Sequence, residues 1–449
     1  MSLSKFESML KTNSVYFFDA TEFENIIDFY IESGKHSLAK KALSLGLEQH
    51  PKSTLLLILK AELMIFEDEL SAAYKLLNHL QAIEPTNSEI YVQLADIYSK
   101  KHKHDQAVAL LDQALVFTDN PADIWLLLGM EYIYLNNFKE ARLYFEYSLK
   151  DSPDDFAALF NVVYCFDMEK QADLAIKFLT EFTDENPYSE IGWHQLGRQY
   201  YNTKNYEEAL RAFDFASLID EDFVGAYVEK AKTLERLGNY EKAIENYLIS
   251  LELDDPTAFV LFRVGKCYEK LRNEEQSARF FAKAIVEDPL LEKGWFSLAK
   301  TYYEKRDFEK ALYYCKALLN IEDSNSTYWN LFSVLCLKLS LFEEAIEGFK
   351  ECLALEQDDL EIWVAIIDCL VFIGDFNAAK NYAELGMTNH MNTAELTYRL
   401  GGLEYLYGNK EIGTLLLKKA EDMDIEYKVV MKDVFPELFI EGKKLEKTN

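Results

Sequence analysis

Residues 124–155 read IWLLLGMEYIYLNNFKEARLYFEYSLKDSPDD, and this stretch decides the fold. It holds Trp125, Leu128, Gly129, Tyr132, Ala141, Phe145 and Pro153. A shift of 34 residues either way lands on the same residue types. With Ala122 as position 1, position 4 falls on Phe23, Leu57, Tyr91, Trp125, Leu159, Trp193, Tyr227, Leu261, Trp295, Trp329, Trp363 and Thr397. All five tryptophans of the chain stand there. Position 20 falls on ten alanines, from Ala39 to Ala379, and on Ser277 and Gly413. Seven of the eight prolines occupy positions 32 to 34. The register runs without insertion from Ala20 to Tyr427, which makes twelve units.

Each position has a physical reason. Positions 4, 7, 8 and 11 form one stripe of a first helix at about 100° per residue. Large residues at 4 and 11 fill space, and small ones at 8, such as Ala61, Gly197 and Gly265, admit a neighbouring helix. Position 20 is small because two helices cross closely there. Position 24 restores bulk with Phe213, Tyr247 and Phe281. Proline near position 32 cannot continue the second helix. A single hairpin cannot bury its own apolar faces, so stacked neighbours must supply the core.

These residues at these spacings resemble the tetratricopeptide repeat, a helix–turn–helix of 34 residues. The resemblance implies an all-α fold, a right-handed α-solenoid superhelix of antiparallel helix pairs. The expected repeats are 20–53, 54–87, 88–121, 122–155, 156–189, 190–223, 224–257, 258–291, 292–325, 326–359, 360–393 and 394–427. The twelfth departs most, with Thr397 at position 4 and Glu404 at position 11. Residues 1–19 read as an N-terminal capping helix followed by the apolar Val15-Tyr16-Phe17-Phe18. Residues 428–449 read as a C-terminal capping helix and tail, with Pro436 ending or kinking the helix. Both would cover the exposed ends of the stack.

The chain has 449 residues, a net charge of −30 and a pI near 4.7. Phosphate binding needs a basic footprint, so nucleic acid and anionic membranes are disfavoured as main partners. The acidity also reads simply as a solubilising exterior. The six cysteines, Cys165, Cys267, Cys315, Cys336, Cys352 and Cys369, take mostly core-facing slots and lack CxxC spacing. They read as reduced thiols acting as small hydrophobes, which points to the cytoplasm. No apolar signal core stands near the N-terminus, and the apolar run Leu55–Leu59 is too short to span a bilayer.

No phosphate-binding loop, HExxH or GxSxG motif is present. Acidic pairs such as Asp154-Asp155 fall in interrepeat turns, where Asp is favoured for backbone reasons. His102 and His104 flank a basic turn without further ligands, so a solvated turn is expected there in preference to a metal site. His36, His104, His50 and His390 are expected to face solvent. The chain is read as non-enzymatic, with no cofactor and no metal.

The first-helix positions 2, 5, 6, 9, 12 and 13 point away from the core stripe. The resemblance implies that this face lines a concave groove for extended peptides. Position 9 reads Asp28, Glu62, Asp96, Met130, Tyr164, Arg198, Lys232, Lys266, Lys300, Val334, Asp368 and Gly402. Four cations in succession, inside an acidic chain, mark repeats 6 to 9. Around them lie Phe160, Asn161, His194, Tyr201, Arg236, Phe262, Arg263, Phe296 and Tyr303. Packed helices lie roughly 8–10 Å apart, and an extended peptide advances about 3.3 Å per residue. The cations would therefore meet a carboxylate about every third residue of an acidic ligand. Glu229, Glu235, Glu269 and Glu304 share the face and offer the alternative, internal pairing. A carboxylate clamp of the kind some family members carry is not matched residue by residue.

The expected function is a protein–protein interaction scaffold that holds an acidic segment in the groove of repeats 5–9. Two alternatives stay open: a structural or self-assembling solenoid, as a homo-oligomer, and a regulatory subunit of an enzyme complex.

Overall fold

A computed structural model of the chain describes residues 2–12, 16–429 and 431–438; Val15, part of the expected N-terminal cap, and residues 439–449 of the expected tail lie outside them. Two compact units are distinguished, Met1–Ala226 and Tyr227–Asn449. Each is a run of antiparallel helix pairs, an all-α solenoid, and among the described residues there is no strand. In the first unit the first helices begin at Ala20, Thr54, Ser88, Ala122, Phe156 and Glu190. In the second, complete first helices begin at Ala258, Glu292, Ser326, Leu360 and Ala394. All of these are position 1, and the second helices all begin at position 17, from His36 to Lys410.

The turn inside each pair has one recurring geometry. The residue at position 15 has a positive φ in eleven repeats, from Gly34 at 67° to Gly374 at 84°. The amide at position 16 then donates to the carbonyl at position 11, as Asn137 does to Tyr132 at 2.9 Å and Asp307 to Tyr302 at 3.0 Å. This six-to-one bond ends a helix in a Schellman turn. Glycine fills position 15 in only three of the eleven; Lys170, Lys204, Arg272 and Arg306 adopt the left-handed conformation without it. In repeat 12, Gly408 has φ −135° and the Asn409 amide donates instead to Glu404 Oε2, at 2.9 Å. The carboxylate of Glu404, also paired with Lys380 at 2.6 Å, replaces the missing backbone acceptor. That is the reason for an acid at position 11.

Small and large residues interlock as the pattern requires. All ten position-20 alanines are fully buried. A Cβ on Gly197 would stand 2.6 Å from the Phe213 ring, and one on Gly265 would stand 2.6 Å from Phe281. Position 8 and position 24 are thus one joint. At position 4, side-chain donors also reach back to the preceding turn. Trp193 Nε1 donates to the Pro187 carbonyl at 3.0 Å, Trp295 to Pro289 at 2.9 Å, Trp329 to Asp323 at 2.7 Å, and Tyr91 Oη to Pro85 at 2.7 Å. Volume alone would not select tryptophan; a donor reaching the carbonyl six residues back does.

The four turn histidines do not simply face solvent. His36 stacks on Phe66 with ring centroids 4.4 Å apart, and His104 stacks on Tyr134 at 4.8 Å. In both cases position 17 meets position 13 of the next repeat. His104 Nδ1 also lies 2.8 Å from Glu131 Oε2. His50 Nε2 lies 2.7 Å from the Phe18 carbonyl, and His390 Nε2 lies 3.2 Å from Asp358 Oδ1. An imidazole has an apolar face and two polar edges, so it joins repeats where a purely polar turn residue would not.

At the N-terminus, helix Ser2–Thr12 sets Phe6 and Met9 against the first repeat. The Phe6 ring meets Phe18 and Phe23 edge-on at 6.0 and 6.3 Å. Phe18 is buried, whereas Phe17 is exposed. At the C-terminus the described residues form a 3-10 turn, Glu426–Val429, a short helical stretch, Met431–Val434, and further helical residues at 436–438. Pro436 opens the helical residues 436–438, where its missing N–H costs no helix bond.

Candidate functional site

The candidate residues fall in both units, and each unit is taken by itself. In Met1–Ala226, Phe160 and Tyr164 stand one turn apart on the first helix of repeat 5, each 43% exposed. They sit outside the core stripe because positions 5 and 9 turn away from it. Asn161 is half-buried, its amide nitrogen 4.0 Å from the Met130 sulfur. His194 is not an open cation. It is half-buried between the rings of Phe213 and Phe223, at 5.7 and 5.0 Å. Tyr201 meets Tyr206 edge-on at 5.4 Å. Arg198 is exposed.

In Tyr227–Asn449 the cations pair with carboxylates of their own helices. Lys232 Nζ lies 2.8 Å from Glu229, Lys300 Nζ lies 3.8 Å from Glu304, and Lys266 pairs with Glu269. Arg263 differs: it spans to the preceding repeat and grips Glu235 with two bonds, of 2.9 and 2.5 Å. The Tyr247 hydroxyl donates to the same carboxylate at 2.7 Å. Burial and the Glu235 charge together push that phenol's pKa upward, so Tyr247 holds its proton. Arg263 is therefore engaged in joining two repeats and is not an open groove cation. Phe262, Phe296 and Tyr303 are half-buried against Phe281, Tyr328 and Phe308, at 5.5, 5.3 and 5.7 Å. Arg236 is exposed at position 13.

The structure therefore separates the expected set. Phe160, Tyr164 and Arg198 in one unit, and Lys232, Lys266, Lys300 and Arg236 in the other, present themselves at the surface or half-exposed. His194, Arg263 and Phe262 are engaged in interrepeat or intrarepeat packing. Three of the four position-9 cations have intrahelical partners at spacings i,i+3 or i,i+4, as the alternative reading allowed. Such partly exposed pairs contribute little, about 0.3–0.5 kcal/mol each.

The N-terminal rows of the same face are acidic. Burial raises the carboxyl pKa of Asp28, Glu62 and Asp96, and neighbouring carboxylates raise it further: Glu32 for Asp28, Glu89 first for Glu62, and Glu131 for Asp96. Lys100 works against the shift at Asp96.

All six cysteines are buried single thiols. Burial pushes Cys165, Cys267, Cys315 and Cys369 up to about 12, and Cys336 and Cys352 up to about 11. They are protonated and unreactive at neutral pH. Among the described residues no group of three or more histidine, cysteine or acidic side chains is placed to hold a metal, and no helix is long and apolar enough to cross a membrane.

Family patterns described as the tetratricopeptide repeat match residues 65–130, 126–190, 192–222, 224–256 and 293–325. The chain is a tetratricopeptide-repeat protein. The TPR repeat-containing protein YpiA of Bacillus subtilis is 22% identical over 319 residues, covering 69% of this chain and 74% of YpiA. The human Protein O-mannosyl-transferase TMTC3 is 24% identical over 256 residues, which are 55% of this chain and only 27% of the transferase. Among solved structures, the C-terminal part of a TPR repeat-containing protein from Cytophaga hutchinsonii covers 54% of this chain and 99% of its own, with 15% identity and a TM-score of 0.44.

Two features of this tetratricopeptide-repeat chain were missed from sequence. The position-17 histidine over the position-13 aromatic is visible only when residues 30 apart are compared, as His36 with Phe66 and His104 with Tyr134. The second is the packing of the C-terminal segment on repeat 12, and its signal was the lone glycine in the position-9 row, Gly402. Its neighbour in space is Phe435.

Proposed function

We propose that the chain is a non-catalytic binding scaffold, and that its first-helix face holds an acidic, partly aromatic segment of another protein. The observation that supports this reading is the Lys232, Lys266, Lys300 row of the second unit. It recurs at one position per repeat, in a chain of net charge −30. Phe259 stands exposed on the same helix as Lys266 and offers an apolar contact beside the charge. In the first unit, Arg198, Phe160 and Tyr164 offer the same chemistry. The lysines' present partners are weak and local, so a ligand carboxylate exchanges one ion pair for another and gains aromatic burial. The six cysteines and five of the seven histidines, residue types that often do chemistry, are here engaged in packing or interrepeat bonds, which favours binding over catalysis. A cytoplasmic setting suits the six separate thiols.

The test is affinity capture with the wild type and the Lys232→Glu/Lys266→Glu variant, at 50 and 300 mM salt. A captured protein with an acidic segment should be retained by the wild type at low salt. It should be lost at high salt, because exposed charges are screened within about 10 Å at 0.1 M. It should also be lost by the variant. Equal capture by both proteins overturns the reading.

A further inference from the structure

The second unit carries part of its own chain on its first-helix face. The 3-10 turn Glu426–Val429 packs on both helices of repeat 12, Ala394–Tyr407 and Lys410–Met423. The α-turn Met431–Val434 reaches the first helix of repeat 11, Leu360–Ile373. The next repeat of a growing stack would meet only repeat 12. A segment that touches the first helices of both repeats lies across their shared face instead, where a groove ligand would lie.

The fit is built from specific side chains. Phe435 is buried against Gly402, where a Cβ would stand 2.8 Å from its ring. Gly402 occupies position 9, and no other repeat has glycine there. The notch therefore lies in a repeat whose face this segment fills. Met431 is buried as well. Arg399 Nη1 donates to the Tyr427 hydroxyl at 2.8 Å, and the Tyr398 hydroxyl donates to the Asp424 carbonyl at 3.0 Å. Arg399 is held in place by Asp368, at position 9 of repeat 11, through bonds of 2.7 and 2.6 Å. Tyr427, Met431 and Phe435 are spaced four residues apart. The described part of the segment has one 3-10 turn and two short helical stretches, 431–434 and 436–438, too little to be stable apart from the surface it covers. Its tether holds it there at an effective concentration of about millimolar.

We infer that the first-helix face of repeats 11 and 12 is a peptide seat, filled at rest by the chain's own C-terminal segment, and that its partner is a peptide bearing tyrosine, methionine and phenylalanine side chains four residues apart. This goes beyond the acidic-segment reading: it uses other repeats and an apolar anchor. The partner displaces the tethered segment, so the seat is open only to a ligand strong enough to compete with it.

The probe is a fluorescein-labelled synthetic peptide of sequence 424–438, read by anisotropy against the full chain. The Met431→Ala/Phe435→Ala variant, its helicity checked by circular dichroism, should bind the peptide at least tenfold tighter than wild type does. Gly402→Val added to that variant should abolish the gain. A folded variant that binds no tighter than wild type overturns the inference. If the variant does not fold, wild type decides. With excess unlabelled peptide, amide exchange across 431–435 should accelerate at least threefold; an unchanged rate overturns the inference.

Discussion

Replacing Asp368 by alanine isolates what a buried ion pair contributes to the last two repeats. Arg399 is only 2% exposed, and its guanidinium donates twice to Asp368, once to the Glu395 carbonyl and once to Tyr427. Removing Asp368 leaves a buried charge without its counterion, which costs about 3–5 kcal/mol. At about 1.4 kcal/mol per tenfold, local opening becomes roughly a hundredfold to several thousandfold more frequent. Cys369 reports that opening. It is fully buried, and burial holds its thiol up to about 12, so a thiol reagent reaches it only when the region opens. Labelling would be followed by peptide mass spectrometry and normalised to the rate in denaturant. Asp368→Ala should speed Cys369 labelling at least a hundredfold and leave Cys165, in the other unit, unchanged. Asp368→Leu/Arg399→Met, which removes both charges and keeps volume, should label at least tenfold more slowly than Asp368→Ala. Acceleration below threefold, or a double variant as fast as the single one, would refute the reasoning.

Three other outcomes are expected. Lys204→Gly should raise the unfolding free energy by roughly 0.5–1 kcal/mol, because a left-handed non-glycine residue costs about 1–2 kcal/mol and glycine's extra unfolded-state freedom returns only part of that; a lowered melting temperature would contradict it. Gly197→Ala should cost about 1–3 kcal/mol in urea titration by overpacking against Phe213, and Phe213→Leu in the same chain should recover part of it. Glu62→Gln should stabilise the first unit at pH 7. The folded-state pKa of Glu62 is raised above its unfolded value, by burial first and by Glu89, Asp28 and Asp96 next. Protonation therefore favours the folded chain: the stability it contributes is present at low pH and is lost as pH rises through the folded-state value. The advantage of the glutamine variant in melting temperature should grow from pH 4.5 to pH 7, and an advantage that shrinks would oppose the assignment.

The 34-residue period by itself determined where helices begin and which residues pack inside a pair. Those contacts join residues a fixed, short distance apart, such as Gly197 with Phe213, and every repeat presents the same joint again. Local chemistry was enough: small against large, a turn residue between, proline after. Tertiary structure decided what the surface residues do. The lysines at 232, 266 and 300 carry the same sequence signal whether they face a ligand or their own glutamates, and only the tertiary structure separates the two. Arg263 and His194 have groove positions in the register, yet each turns to a neighbour that offers a carboxylate or an aromatic ring. The path of the C-terminal segment was likewise invisible, because nothing periodic links Tyr427, Met431 and Phe435 to Arg399 and Gly402. A repeat pattern encodes contacts made many times; a contact made once leaves only a lone glycine where eleven larger residues stand.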